Sequence, residues 1–246
     1  MDTDTEDITV HITSSKGNRP FNADAAAQYR CPYTGTQTAV VLDGIGSNAE
    51  VAELMPHLAY FVVRVAARDG AWNAVLAAAH LTRPAFPLAA AADGSRRDTP
   101  DGVMVLAHFP SDQPATIAYV GDPRAYGWSD NALHPLTVDL TIGEEMRRHG
   151  ACDHLAARHD HQVLTTLGQA TPVTVSVVPD VYHQRVLLLS DGAARTLTLD
   201  RLTEIAREHE HDPQACADTI VSEASESGSR DDKTAVVVTR PAPIPL

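Results

Sequence analysis

The run Ala39-Val40-Val41-Leu42 stops on an acid, Asp43, and is followed by Gly44-Ile45-Gly46-Ser47-Asn48. An apolar run bounded by Gly, Ser and Asn reads as a buried strand and a tight turn. Asp43 then stands at the strand end, with its backbone fixed and its carboxylate free to leave the core. Glycine at position 44 lets a ligand approach the main-chain carbonyl closely. A single Asp-Gly after a strand is equally ordinary hairpin chemistry, so the weight lies in repetition. Val186-Leu187-Leu188-Leu189 leads to Ser190-Asp191-Gly192, and Ala115-Thr116-Ile117-Ala118-Tyr119-Val120 leads to Gly121-Asp122. Asp231-Asp232 stands just before Thr234-Ala235-Val236-Val237-Val238-Thr239. Four strand candidates far apart in sequence thus carry carboxylates at one end, which suggests convergence on one site. Gathered carboxylates repel unless cations hold them, and hard oxygen donors suit Mg²⁺, Mn²⁺ or Ca²⁺ rather than zinc.

The elements that must position these acids follow from periodicity. Ile8-Thr9-Val10-His11-Ile12-Thr13 alternates like an edge or hairpin strand, and Lys16 to Asp24 reads as a loop whose charged members Arg19 and Asp24 read, taken alone, as solvated. Asn48 caps a helix with Val51, Leu54, Met55, Leu58, Val62, Val65 and Ala66 on one stripe; a second helix spans about Trp72 to Leu81, before Pro84 and Pro87. A polar loop from Asp93 to Gly102 leads into the strand Val103–Phe109, and Ser111–Pro114 turns it back antiparallel toward Asp122. A helix around Glu144–Arg148 closes at Gly150, and Val173–Val178 reads as a strand. Two amphipathic helices, Leu199–Ala206 and Gln214–Val221, precede the last strand, with His209 and His211 solvated between them. His154 to His161 lacks zinc spacing and reads as a solvated loop or a flap, with His159 and His161 on one face of an extended chain. Helices grouped in pairs outside antiparallel strands predict an α+β fold, a layered α/β sandwich, rather than alternating βαβ units.

The 246 residues suit one domain over 1–240 with a Pro-rich tail at 241–246, and 43% hydrophobic residues allow a substantial core. A formal charge of −13 argues against nucleic acid and anionic membrane surfaces as partners. No apolar stretch approaches the ~20 residues needed to span a bilayer. The acidic start, Met1 to Asp7, is unlike a secretory leader, and the expectation is a cytoplasmic protein. Three dispersed cysteines, Cys31, Cys152 and Cys216, fit free thiols better than a disulfide framework.

The ordered motifs resemble those of the metal-dependent serine/threonine protein phosphatases of the type-2C (PPM) family, in a bacterial form. Arg19 to Asp24 is similar to Arg-x-x-(Asn)-Glu-Asp, Asp43-Gly44-Ile45-Gly46 to Asp-Gly-x-Gly, and Gly121-Asp122-Pro123-Arg124-Ala125-Tyr126 to Gly-Asp-Ser-Arg-Ala-Tyr. Leu136-Thr137-Val138-Asp139, Leu164-Thr165-Thr166-Leu167-Gly168, Ser190-Asp191-Gly192 and Asp231-Asp232-Lys233-Thr234 come in the family's order. The resemblance implies a four-layer α-β-β-α sandwich of two antiparallel sheets flanked by helix pairs. It implies metal-dependent hydrolysis of phosphoserine and phosphothreonine in proteins by a metal-activated water. Asp43 would bridge two Mn²⁺ or Mg²⁺ ions, with the Gly44 carbonyl, Asp191 and Asp231 as further ligands. Asp122 would share a weaker third ion with Asp191. Arg19 would bind the substrate phosphate. The partners of such an enzyme would be phosphorylated proteins, among them a Ser/Thr kinase or its target.

Several positions depart from the family pattern. Ala23 stands at a usual Glu ligand, leaving Asp24 beside it to orient metal-bound water, and Ile45 stands where animal members carry a proposed general acid. Pro123, Leu140 and Ser47 replace Ser, His and Gly. The alternative reading is a catalytically weak or inactive phosphatase-like domain that binds a phosphoprotein. A dehalogenase-type phosphatase would need an Asp-x-Asp pair, which Asp43-Gly44-Ile45 lacks, and a helix-loop-helix calcium site would keep its acids within one loop.

Overall fold

The computed structural model describes residues 8–46, 48–83 and 100–241. The acidic leader, Ser47, Pro84, Pro87, the 93–99 part of the polar loop and residues 242–246 of the tail lie outside the described residues. In chain order come strands β1 (Thr9–Ser15), β2 (Asp24–Arg30) and β3 (Gln37–Ile45), then helices α1 (Ala49–Asp69) and α2 (Ala71–Thr82). Next are strands β4 (Asp101–Phe109), β5 (Ala115–Val120), β6 (Arg124–Ser129) and β7 (Ala132–Pro135), then α3 (Ile142–Arg148) and α4 (Asp153–Ala156). The remainder is β8 (Ser176–Val181), β9 (Arg185–Leu189), α5 (Asp191–Ala194), α6 (Leu199–Glu208), α7 (Pro213–Glu226) and β10 (Lys233–Thr239).

Two antiparallel sheets result, ordered β1-β10-β9-β6-β7 and β2-β3-β4-β5-β8. The central strands β3, β4, β9 and β10 read as unbroken apolar runs because both faces are buried. In β3, Val40 and Leu42 face α1 and α2, while Ala39 and Val41 face the other sheet. In β10, Ala235 and Val237 face α5, α6 and α7, while Val236 and Val238 point inward with Val186 and Leu188 of β9. The layers are therefore helices, sheet, sheet, helices, as expected. Asn48 caps α1, its side chain accepting from the Val51 amide, and the predicted stripe lies against the sheet.

Several local readings need correction. Asp24 does not end a loop; it opens β2, whose Asp-Ala-Ala-Ala-Gln-Tyr-Arg sequence carries no clear alternation. The strand expected at Val173–Val178 begins at Ser176 and runs to Val181. Chain 153–159 is wound into helical turns rather than extended, and Arg147 holds its end through two bonds to Asp160 of 2.8 and 2.7 Å. The β6–β7 hairpin turns on Asp130 and Asn131, both with positive φ, a turn chemistry the composition permits. His209 is not simply solvated, since its Nε2 lies 2.9 Å from the Thr219 hydroxyl. Cys31, Cys152 and Cys216 are free thiols. No helix among the described residues is long and apolar enough to cross a membrane.

The layer between the sheets is the element on which both halves depend. Leu188→Ala, in its centre and fully buried, is expected to cost about 2–5 kcal/mol of stability. Urea unfolding should show a lower midpoint with an unchanged slope; an unchanged midpoint would contradict this packing.

Candidate metal and phosphate site

Period-two alternation carries the acids into the layer between the sheets. Asp43 continues the inward face of Ala39 and Val41 in β3, and Asp24 lies directly opposite it across the β2–β3 pair. From the other sheet, Ser190 and Thr234 continue the inward faces of Leu188 and Val236, and their hydroxyls lie close enough to the Asp24 carboxyl to favour its charged form. Asp191 opens α5 directly after Ser190 and lies against the Asp43 carboxyl, which it raises. The site thus sits at one end of the inter-sheet layer, where β9 and β10 lie against β2 and β3.

Like charges at this depth raise one another. Burial pushes the Asp24 carboxyl up to about 7, with the Ser190 and Thr234 hydroxyls offsetting part of the rise and Asp191 and Asp232 adding to it. Asp43 is pushed well above the ordinary carboxylate range, first by burial and then by Asp24, Asp191 and Asp122. Burial also raises Asp122 to about 6, with Asp191 adding and the Arg195 guanidinium opposing. Asp231 moves upward for the same reasons, against the pull of Arg19.

Arg19 is placed by the loop before β2. Asp232, almost fully buried, accepts from the amides of Gly17 and Ala23 at 2.7 and 2.8 Å and so ties both ends of that loop to the start of β10. Within it, the Arg19 guanidinium donates to Asp231 at 2.9 Å while remaining about two-fifths exposed. Arg19 and Asp24 are therefore not solvated loop charges: one faces the acids, the other is buried among them.

Gly44 also has a packing reason that its sequence does not show. β3 continues through Ile45, and the turn comes later, at Gly46, whose φ is +115°. A Cβ on Gly44 would stand 2.5 Å from Val51 Cγ1 and 2.7 Å from the Ala23 carbonyl oxygen. The missing side chain lets α1 lie on the sheet beside Asp43. Gly192 is similar, since a Cβ there would collide with the Asp232 carbonyl.

Asp122 comes after Gly121, whose positive φ and close contact with Val103 exclude a side chain. The Asp122 Oδ2 accepts from Arg195 at 2.5 Å. Asp139 accepts two bonds of 2.8 Å from Arg124. Sequence reasoning singled out neither Arg195 nor the anchoring role of Asp232. Arg195 could have been noticed at i+4 from Asp191 in a helical register; Asp232 could have been noticed as the neighbour of Asp231.

Only oxygen donors meet here, a set suited to hard divalent cations. The buried Oδ2 of Asp24 has no hydrogen-bond partner, which leaves a lone pair for one. Among the described residues, no three His, Cys, Asp or Glu side chains form a group that could hold a metal ion as they stand. Asp122 is bonded to Arg195 and Asp231 to Arg19.

No protein-family model matches the chain. It is 28% identical over 144 residues to the serine/threonine phosphatase stp of Listeria welshimeri, spanning 56% of this chain and 57% of that protein; the chain thus matches little more than half the length of its curated relatives. Its fold is that of solved bacterial PPM-type serine/threonine phosphatases. With the S. agalactiae serine/threonine phosphatase the TM-score is 0.79 at 16% identity, covering 95% of this chain and 100% of that one. With the catalytic domain of the phosphatase PstP in complex with two manganese ions it is 0.69 at 18% identity, covering 94% and 97%.

The raised carboxyls fix a pH dependence. Asp24 and Asp122 bind protons more tightly folded than unfolded, so between the ordinary value of 3.8 and their folded values of about 7 and about 6 the folded state holds the extra protons. Stability without divalent cations then falls as pH rises through that interval. The metal-free melting temperature should be higher near about pH 5 than near about pH 7.5, and Asp24→Asn should flatten the difference. A melting temperature that rises over this range would contradict the assignment.

Proposed function

From its kinship with the bacterial PPM-type serine/threonine phosphatases, we propose that this chain hydrolyses phosphoserine and phosphothreonine in proteins, using Mn²⁺ or Mg²⁺. One observation carries the reading. Asp24, Asp43, Asp191 and Asp231 meet at one end of the inter-sheet layer, and Arg19 stands against them, 2.9 Å from Asp231.

Asp43, Asp191 and Asp231, with the Gly44 carbonyl, would hold two cations, and Asp24 with its unpartnered oxygen would serve the same ions directly or through water. When bound, such ions supply a water of lowered pKa and offset charge on the phosphoryl oxygens. The chain's own residues do the rest. Arg19 is exposed enough to be reached, and its planar fork matches two phosphate oxygens at once. Asp232 holds the loop that presents it. The Ser190 and Thr234 hydroxyls of the opposite sheet face the Asp24 carboxyl and favour its charged form. Ile45, about half exposed beside the site, has no proton to give a leaving group; that proton must come from water. Substrates would be phosphorylated proteins, a Ser/Thr kinase or its targets among them.

The test is hydrolysis of para-nitrophenyl phosphate and of a phosphothreonine peptide with Mn²⁺, Mg²⁺ or EDTA. Phosphate release should require the metal. Asp191→Ala should lose about 100-fold or more, the scale set by removing one electrostatic contributor to a reacting centre. Arg19→Ala should act chiefly by raising KM. A folded protein that binds Mn²⁺ and releases no phosphate would overturn the proposal in favour of a phosphoprotein-binding domain.

A further inference from the structure

Arg195 stands where the sequence resemblance would put a third ion. Its guanidinium donates to Asp122 Oδ2 at 2.5 Å and to the Asp160 carbonyl at 2.6 Å, and lies 3.6 Å from Asp139. Asp139 is bound on its other side by both arms of Arg124, and Arg124 also donates to the Ala194 carbonyl at 3.2 Å. The group is closed: two carboxylates, two guanidiniums, and main-chain carbonyls on either flank. Asp122 and Arg195 are largely removed from solvent, with side-chain exposures of 6% and 23%. Arg195 Nε is buried without a partner, and the contacts with Asp122, the Asp160 carbonyl and Asp139 all run through Nη2.

We propose that Arg195 is a resident cation of the site, occupying the Asp122 carboxylate in place of a divalent ion, so that Asp122 is not a metal ligand in this chain. The proposal rests on the reading that the neighbouring acids take divalent cations. Charge supports it. Asp122 and Asp139 each hold an arginine in a close ion pair, whereas the one ion pair that Asp24, Asp43, Asp191, Asp231 and Asp232 make among the described residues is that of Asp231 with Arg19. A divalent ion gains most where negative charge is unbalanced, and at Asp122 it would meet a fixed positive charge within bonding distance. Displacing that charge would also strand the Asp160 carbonyl. The same guanidinium therefore joins the acid cluster to the end of the 153–160 turns.

The experiment is Mn²⁺ titration by calorimetry, with free Mn²⁺ read by electron paramagnetic resonance. It compares the natural protein with Asp122→Asn, Arg195→Ala and Arg195→Lys. Asp122→Asn keeps an oxygen to accept from Arg195 and should bind the same number of ions as the natural protein. Arg195→Ala should gain one equivalent, or tighten its weakest site by about tenfold or more, the scale on which neighbouring groups alter metal affinity. Arg195→Lys, which keeps a cation, should not. Loss of one equivalent in Asp122→Asn would overturn the proposal and make Asp122 a ligand; so would an unchanged count and affinity in a folded Arg195→Ala. If Arg195→Ala does not fold, the Asp122→Asn count alone decides. If none of the proteins binds Mn²⁺, the metal reading of the whole site fails, and the proposal with it.

Discussion

Asp24 and Asp43 face one another across two paired strands, which is the least favourable place for two carboxylates in a sheet. Asp191 and Asp231 approach from the other sheet and add to the repulsion. A folded protein tolerates such crowding only by offsetting it, and each offset here has a structural cost visible elsewhere. Asp24 faces the Ser190 and Thr234 hydroxyls of the opposite sheet, which offset part of its rise. Asp231 takes Arg19, which requires the loop before β2 to be pinned by Asp232. Asp122 takes Arg195, which requires α5 to begin where it does. Burial first, and then the repulsion these partners leave uncompensated, is expressed in carboxyls that hold their protons unusually well.

The sandwich makes this crowding possible because its strands are buried on both faces. A one-sided sheet would expose alternate residues, and an acid at a strand end could turn into water. Here the inward face of every central strand leads into the layer between the sheets, so any acid placed on that register at a strand end is delivered to the same place. Gly44 and Gly192 show how tightly the surroundings close on it: one yields its side-chain space to α1, the other to the backbone of Asp232. The Asp-Gly pairs are thus as much a packing requirement as a turn signal.

That double role explains which parts of the molecule were legible in the sequence. Long apolar runs ending in acids announced β3, β5, β9 and β10, and the stripe of α1 announced a helix on a sheet; these signals arise directly from two-sided burial. β2 was invisible because Ala25, Ala26 and Ala27 carry no alternation, and its place is set by pairing with β3 rather than by its own residues. The limits of β8 were misplaced for a related reason: Val173 to Val175 is as β-prone as Ser176 to Val178, yet a turn at 172–174 is held by bonds between Thr171 and Thr174. Among site residues, those ending strands were legible. Arg195 and Asp232 were not, because their importance lies in which carboxylate or amide they meet across the fold, and no spacing encodes that.

Ala23 brings these points together. The resemblance sets an acid at this position, but in this chain residue 23 is almost fully buried in the apolar cluster under α1 with Leu42, Val51 and Met55. Its amide is given to Asp232 and its carbonyl to the Gly44 amide at 3.1 Å. An ionised side chain there would be desolvated among aliphatic groups unless it left the cluster entirely. The acid nearest in sequence that does meet Asp43 is Asp24, one residue on and therefore on the opposite face of the strand, directed into the layer that already holds Asp191. A shift of one position along a strand changes the face on which a side chain emerges. The absence of an acid at 23 is therefore not a simple deletion from the site: the carboxylate beside Asp43 comes from the inward face, and its free oxygen lies within the protein rather than at its rim.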